Sequence, residues 1–289
     1  MHTRKHLHVL FTLPSLVIYA VFFVFPLFLG IYYSFTDWNG MTASYHLIGL
    51  KNYFTVFSTG RAMSALGFTM RYAFMLSITV TLLSLFLAML LNQEFRGRSL
   101  VRAIYFFPAV LSALVVGLIF NEIYYRIVPL FGKMLGIQAL SKSPASSPDT
   151  APYAILFANV WQAAAIPTTI VLAGLQSVPR DLYEAASIDG AGAACRFRYI
   201  TLPYIAPTLS VVLVLSVKDG LLLFDYVQAI TGGGPAGSTH SIGTFLYQQA
   251  FEYMRYSLSV ASSVVLFLLV ACFGAFYIFL MNRLEAKES

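Results

Sequence analysis

Long uncharged apolar runs alternate with short polar stretches along this chain, at about 10 to 35, 72 to 91, 100 to 121, 152 to 176, 205 to 230 and 258 to 281. A helix needs about 20 apolar residues to cross a hydrocarbon core of roughly 30 Å, so each run reads as one transmembrane helix. The pattern predicts an all-α polytopic membrane protein with six spans, organised as a single domain over residues 1–289. The first run is too long for a removable signal peptide and lacks a small-residue cleavage site, so it reads as a retained anchor.

Several runs carry helix irregularities: Pro108 in the third, Pro167 in the fourth, and Gly220 beside Lys218 and Asp219 in the fifth. Backbone groups freed at membrane depth must be satisfied by neighbouring helices, side chains or water. That suits a bundle around a pathway, although single prolines are also common in membrane helices. In the second run Ser77, Thr81, Ser84 and Ala88 recur at helical spacing, a small and weakly polar stripe fit for close helix packing.

Composition sharpens the class. Of 289 residues, 58% are hydrophobic and 10% charged, against roughly 45–50% and about 25% in a soluble domain. Six spans leave no room for a separate catalytic domain. The net charge of +6 does not indicate nucleic acid, because the basic residues are scattered through short loops. Of the 18 Lys and Arg, ten fall at the termini and in the second and fourth loops, seven on the other side, and Lys218 within a span. That bias places both termini, and the loop at about 177–203, in the cytoplasm of a multi-pass protein of the cytoplasmic membrane. Cys195 and Cys272 have neither the placement of a disulfide nor the spacing of a metal site.

Signatures of catalysis are absent: there is no G-x-x-x-x-G-K-[ST], no H-E-x-x-H and no G-x-S-x-G. Gly232 to Pro235 lacks the lysine of a phosphate loop and reads as a tight turn. His2, His6 and His8 at the N-terminus, and His46 and His240 in external loops, read as solvated. Lys218, Asp219 and Asp225 stand out, since an ionisable group inside a span is costly unless it pairs or faces a cavity. Neighbouring helix residues point about 100° apart, so Lys218 and Asp219 are poorly placed to pair with each other. They line a substrate path or form an ion pair with another helix or subunit. Asp225 lies near the outer end of its run and is interfacial.

The stretch "DLYEAASIDGAGAACRFRYITLP", residues 181–203, reads as two short helices. Pro179 suits a first turn, Asp181 and Glu184 favour the positive N-terminal end, Ala185 and Ala186 are strong helix formers, and Gly190 permits a left-handed stop. Phe197 and Ile200 share one face of the second helix, and Pro203 marks its boundary with the fifth span. The result is a helix-turn-helix along the membrane surface whose small residues admit another protein.

Glu184-Ala185-Ala186, Asp189-Gly190, and Ile200, Leu202 and Pro203 resemble the EAA loop of permease subunits of type I ATP-binding-cassette importers. "GLKNY" at 49–53, "FRGRSLVRAIYFFP" at 95–108, "LAGLQSVPRDLYEAASIDGA" at 172–191, "LFDYVQAITGGGPAGST" at 223–239 and "YQQAF" at 247–251 are similar to the carbohydrate-uptake group. Departures are the Lys218-Asp219 pair, Ser257 where that group has glycine, and a Ser- and Pro-rich loop at 141–150. The resemblance implies a transport subunit without catalytic residues, metal or cofactor of its own, with ATP and Mg on a partner ATPase. It implies a second permease subunit in a heterodimer, an ATPase dimer, an external solute-binding protein and a sugar or oligosaccharide substrate moved by alternating access. Glu184, Ala185, Ala186, Asp189, Gly190, Ile200, Leu202 and Pro203 would couple to the ATPase, and Lys218, Asp219, Phe224 and Asp225 would line the path. A polyol or glycerol phosphate is the alternative cargo, with Lys218 as the cation within the spans. A stand-alone secondary transporter would use Lys218 and Asp219 for ion coupling, but it gives the EAA loop no role and the halves show no repeat.

Overall fold

A computed structural model describes residues 12–93 and 95–288. The N-terminal histidines and basic residues, and the first two residues of the first expected span, lie outside the described residues. In chain order the helices are α1 (Thr12–Ser34), α2 (Lys51–Ser58), α3 (Gly60–Asn92), α4 (Arg98–Phe106), α5 (Ala113–Met134), α6 (Ala151–Ala163), α7 (Ala165–Gln176), α8 (Arg180–Ile188), α9 (Ala193–Leu221), α10 (Asp225–Ile230), α11 (Ile242–Tyr247) and α12 (Tyr256–Glu288). Five of them, α1, α3, α5, α9 and α12, are long and apolar enough to cross a membrane. The pair α6 and α7, bent by 49°, is apolar enough for a sixth when its two halves are taken as one span. Pro167 explains the bend: it has no N–H for the carbonyl one turn back, and its ring crowds that carbonyl.

The chain divides into two compact units. One takes the described residues up to Met63 with Phe245–Ala271, the other Ser64–Thr244 with the described residues from Cys272 onward. In the first unit, the loop after α1 closes on itself through a bridge between Thr36 and Leu47. Asn52 Nδ2 donates to the carbonyls of Ser34 and Thr36, both at 2.8 Å. Those carbonyls lie where α1 has run out of donors of its own, which gives the asparagine of "GLKNY" a structural task. Ser257 is buried, shares a hydroxyl hydrogen bond with Thr36 at 3.0 Å, and donates its backbone N–H to the Trp38 carbonyl at 3.0 Å. A glycine there would keep the second bond and lose the first.

The second unit is organised along α3. Phe68, Tyr72, Leu76 and Val80, one turn apart, pack with Val116 and Phe120 of α5 and Ile155 of α6. Further along, Ala88 and Leu91 pack with Val171 and Leu175 of α7 and Ile205 and Val212 of α9. The small stripe lies inside this packing, with Ser77, Ser84 and Ala88 buried. The serine hydroxyls donate to carbonyls of their own helix, Phe74 at 2.9 Å and Thr81 at 3.0 Å, so they need no outside partner. Gly220 of α9 meets α3 so closely that a Cβ there would lie 2.5 Å from Ala73 Cα.

Four expectations need correction. The third span is not 100–121 but α5, Ala113–Met134. Pro108 sits in a single 3₁₀ turn, Leu111 is extended, and Ser112 restarts the helix by accepting the Val115 N–H at 3.3 Å, which leaves α4 as a separate short helix. At the other end Glu122 and Arg126 do not stop α5, because they pair with each other one turn apart at 3.0 Å. The fifth span ends at Leu221 rather than 230, and Pro203 does not separate it from the preceding loop. The chain is helical from Ala193 through a π turn at Phe197–Thr201, and Pro203 falls just after that turn, inside the continuous helix. His240 is buried rather than solvated, its ring against Gly233, where a side chain would collide with it. Residues 231–234 do form a tight turn, with Gly234 donating to the Thr231 carbonyl at 3.0 Å.

Candidate functional site

Two features of the second unit carry chemistry. The first is a cavity of about 440 Å³ where α5, the α6–α7 bend and the end of α9 meet. Lys218, Asp219, Phe224 and Asp225 all line it, together with Asn159, Gln162 and Tyr226. Lys218 Nζ lies 3.1 Å from Asp219 Oδ1, so the two do pair with each other, contrary to expectation. The angular offset between neighbours constrains the Cβ directions; the four-carbon lysine stem curls back across it. Both side chains remain half exposed, so the pair contributes little to stability. Its effect is on the charge of the cavity: Lys218 is neutralised and Asp225 remains.

The amides are the residues that sequence reasoning missed. Gln162 donates through Nε2 to the Leu111 carbonyl at 2.6 Å and accepts at Oε1 from the Tyr226 hydroxyl. Leu111 belongs to the break before α5 and Tyr226 to α10, beyond the break after α9, so one side chain stitches two helix interruptions. Asn159 donates to the Tyr72 hydroxyl at 3.0 Å. The break at 222–224 is held further by Ser241 Oγ, which donates to the Leu223 carbonyl at 2.7 Å. Asn159 and Gln162, three apart in an otherwise apolar run, were the available signal: two amides on one helix face at membrane depth need a reason to be there.

The second feature is the loop from α8 into α9. Pro179 caps α8 and Asp181 stands in its first turn. At its other end Asp189 is the last half-helical residue, and Gly190 takes φ +74°, a conformation that strains any residue with a Cβ. Gly190 donates to the Ser187 carbonyl at 3.1 Å and Ala191 to the Ala186 carbonyl at 2.8 Å, the paired bonds of a Schellman stop. Two side-chain bonds then fix α8 against α9: Tyr183 with Thr201 at 2.9 Å, and Arg196 donating to Ser187 at 2.9 Å. Tyr183 and Ile200 pack on the core cluster of α7 and α9. Glu184, Ala185, Leu202 and Pro203 stay exposed, as does Ile188 at 87%. Glu184 makes no ion pair among the described residues and lines a shallow groove with Arg180, Tyr183, Ser187, Ile188 and Arg196.

Neither feature has a metal-binding cluster among the described residues. The chain is 38% identical over 275 residues to the multiple sugar-binding transport system permease protein MsmF of Streptococcus mutans, covering 95% of each chain. It is 34% identical to the trehalose/maltose transport system permease protein MalF of Thermococcus litoralis, covering 93% of this chain and 91% of that one. Its fold matches a chain of a bacterial alginate transporter solved with an alginate pentasaccharide-bound periplasmic protein, with a TM-score of 0.83 at 20% identity over 98% and 96% of the two chains. Residues 80–289 match the family described as binding-protein-dependent transport system inner membrane component, and the chain belongs to that family.

Proposed function

We propose that this chain is a permease subunit of an ATP-binding-cassette importer that passes a sugar or oligosaccharide inward by alternating access, as one permease domain with cytoplasmic termini. It pairs with a second, non-identical permease, sits on an ATPase dimer that holds ATP and Mg, and receives cargo from an external solute-binding protein. The observation that carries this reading is the α8–α9 unit. The Schellman stop, the Tyr183–Thr201 bond and the Arg196–Ser187 bond tie α8 to α9 at their junction, which supports their moving together. The second helix then continues, through the π turn at 197–201 and past Pro207, to Leu221, beside Lys218 and Asp219 of the cavity. Glu184, Ala185, Ala186, Asp189 and Gly190 form the ATPase-facing end of that lever, while Ile200, Leu202 and Pro203 join it to the span. Such a switch needs only a few kcal/mol of differential contact between its two states.

The cavity favours a neutral polyhydroxy ligand. Its one lysine is already paired, Asp225 adds a negative charge, and Phe224, Asn159 and Gln162 supply an aromatic face and amides. A glycerol phosphate would meet an unfavourable field there. The test is the ATPase rate of the complete complex in lipid, wild type and Glu184→Lys, with a panel of ligands presented by the binding protein. A neutral sugar should stimulate the wild type, and Glu184→Lys should lose that stimulation with weakened assembly. Unchanged stimulation in the variant refutes the coupling role of the loop; stimulation by glycerol phosphate alone refutes the ligand class.

A further inference from the structure

Helix α4 carries guanidinium nitrogens with nothing to donate to. Arg98 Nε and Nη2 and Arg102 Nε are shielded from solvent and have no hydrogen-bond partner among the described residues. A buried donor without an acceptor is destabilising, and arginine cannot escape by losing its proton. An acceptor beyond the described residues resolves the problem, and the surroundings of α4 indicate which kind.

Residues 93–97 tether α4 to the end of α3, and the short break at 107–112 tethers it to the start of α5. It therefore lies between two candidate spans and packs along α7. Leu100, Ile104 and Phe107 are exposed and recur at helical spacing along one side. Arg98, Arg102 and Tyr105 lie on the opposite side, with the arginines one turn apart. Between α4 and α7 there is a cavity of about 410 Å³ lined by Arg102, Tyr105, Phe106, Thr169, Leu172 and Gln176 among others. Tyr105 and Thr169 share a hydroxyl hydrogen bond at 3.0 Å within it. It thus joins the Arg102 guanidinium and the Gln176 amide to the apolar walls of Phe106 and Leu172.

From this we infer a binding site for a phosphate group held by Arg98 and Arg102, supplied by an anionic phospholipid whose glycerol and first methylenes lie against Phe106 and Leu172. A tetrahedral phosphate offers acceptors in several directions and matches the guanidinium fork bidentately. Basic pockets between membrane helices take lipid headgroups by the same chemistry. A carboxylate of a partner subunit would serve one guanidinium and leave the apolar walls uncovered.

The test is the thermal unfolding of the detergent-purified full complex, wild type, Arg98→Gln/Arg102→Gln and Arg102→Lys, titrated with phosphatidylglycerol, phosphatidylcholine and inorganic phosphate. The wild-type Tm should rise with phosphatidylglycerol and not with phosphatidylcholine. The double variant should lose the rise, and Arg102→Lys, which keeps the charge without the fork, should keep part of it. A rise with inorganic phosphate that the variants reduce in the same order supports the site and assigns it a soluble source. Equal rises in all three proteins, or none with either phosphate probe, overturn it. So does subunit dissociation in the double variant without any lipid dependence in wild type, which would put a partner's carboxylate against the arginines. If the double variant does not assemble, the comparison of Arg102→Lys with wild type decides between these outcomes.

Discussion

Gly220→Ala is expected to push α9 and α3 apart. The new Cβ would lie 2.5 Å from Ala73 Cα, 2.9 Å from Ala73 Cβ and 3.3 Å from Ala73 N. Carbon atoms rest at about 3.5–4.0 Å, so the helices must separate by roughly 1 Å. Overpacking of this kind costs about 1–3 kcal/mol, and the higher helix propensity of alanine offsets only part of it because Gly220 stands in the last turn of α9. The expected net loss is about 1–2 kcal/mol, a fall in Tm of roughly 2–8 °C for a unit of this size. Thermal unfolding of the purified complex measures it, with Gly67→Ala as control. Gly67 lies in α3 with nothing within 4 Å of its Cβ position, so that variant should keep or slightly raise Tm. Ala73→Gly should rescue Gly220→Ala only in part, since the Cα and N of residue 73 remain in the way. Wild-type stability in Gly220→Ala, or complete rescue by Ala73→Gly, would refute a backbone-limited approach. The same separation would disturb Lys218 and Asp219 next door, so ligand-stimulated ATPase activity should fall with Tm.

Gln162→Leu strands the Leu111 carbonyl and the Tyr226 hydroxyl, an expected loss of about 1–3 kcal/mol; Tyr226→Phe should cost less in that background than in wild type, and strict additivity in the double-mutant cycle would contradict the shared network. Gly190→Ala places a Cβ at φ +74°, a strain of about 1–2 kcal/mol. Its ligand-stimulated ATPase rate should fall, with Gly190→Asn less affected, and equal rates in all three proteins would show that the left-handed stop is not needed. In the loop after α1, the His46 backbone N–H, 2.6 Å from Asp37 Oδ1, holds the Asp37 carboxyl below its ordinary value of 3.8. Because the folded value is the lower one, this contribution is present above the unfolded value and is lost as pH falls through the folded value. Hydrogen exchange at the His46 amide should therefore show extra protection near neutral pH that fades in acid, and Asp37→Asn should weaken that dependence.

How legible each part was follows from the range of the interactions that build it. The α8–α9 turn is local: a proline before the helix, an acidic first turn and a glycine stop act within a few residues, so the two helices and their turn could be read directly, but not the end at Pro203, because the second helix runs on to Leu221. The third span was misread because hydropathy does not register Pro108 as a break, and because it counts Glu122 and Arg126 as two charges when they neutralise each other at 3.0 Å. Lys218 and Asp219 line a cavity and pair with each other, a relation the sequence argued against, since helical geometry fixes where side chains start and not where a flexible one ends. The cavity itself depends on contacts between residues far apart in the chain, Gln162 with Leu111 and Tyr226, and Asn159 with Tyr72. Only folding brings these together. The arginines of α4 extend the same logic: "FRGRSLVR" reads as an ordinary basic loop until the structure shows that Nε and Nη2 of Arg98 and Nε of Arg102, on partly buried side chains, have no acceptor among the described residues. We propose that other molecules complete the surface at these groups and at the exposed Glu184 and Ile188.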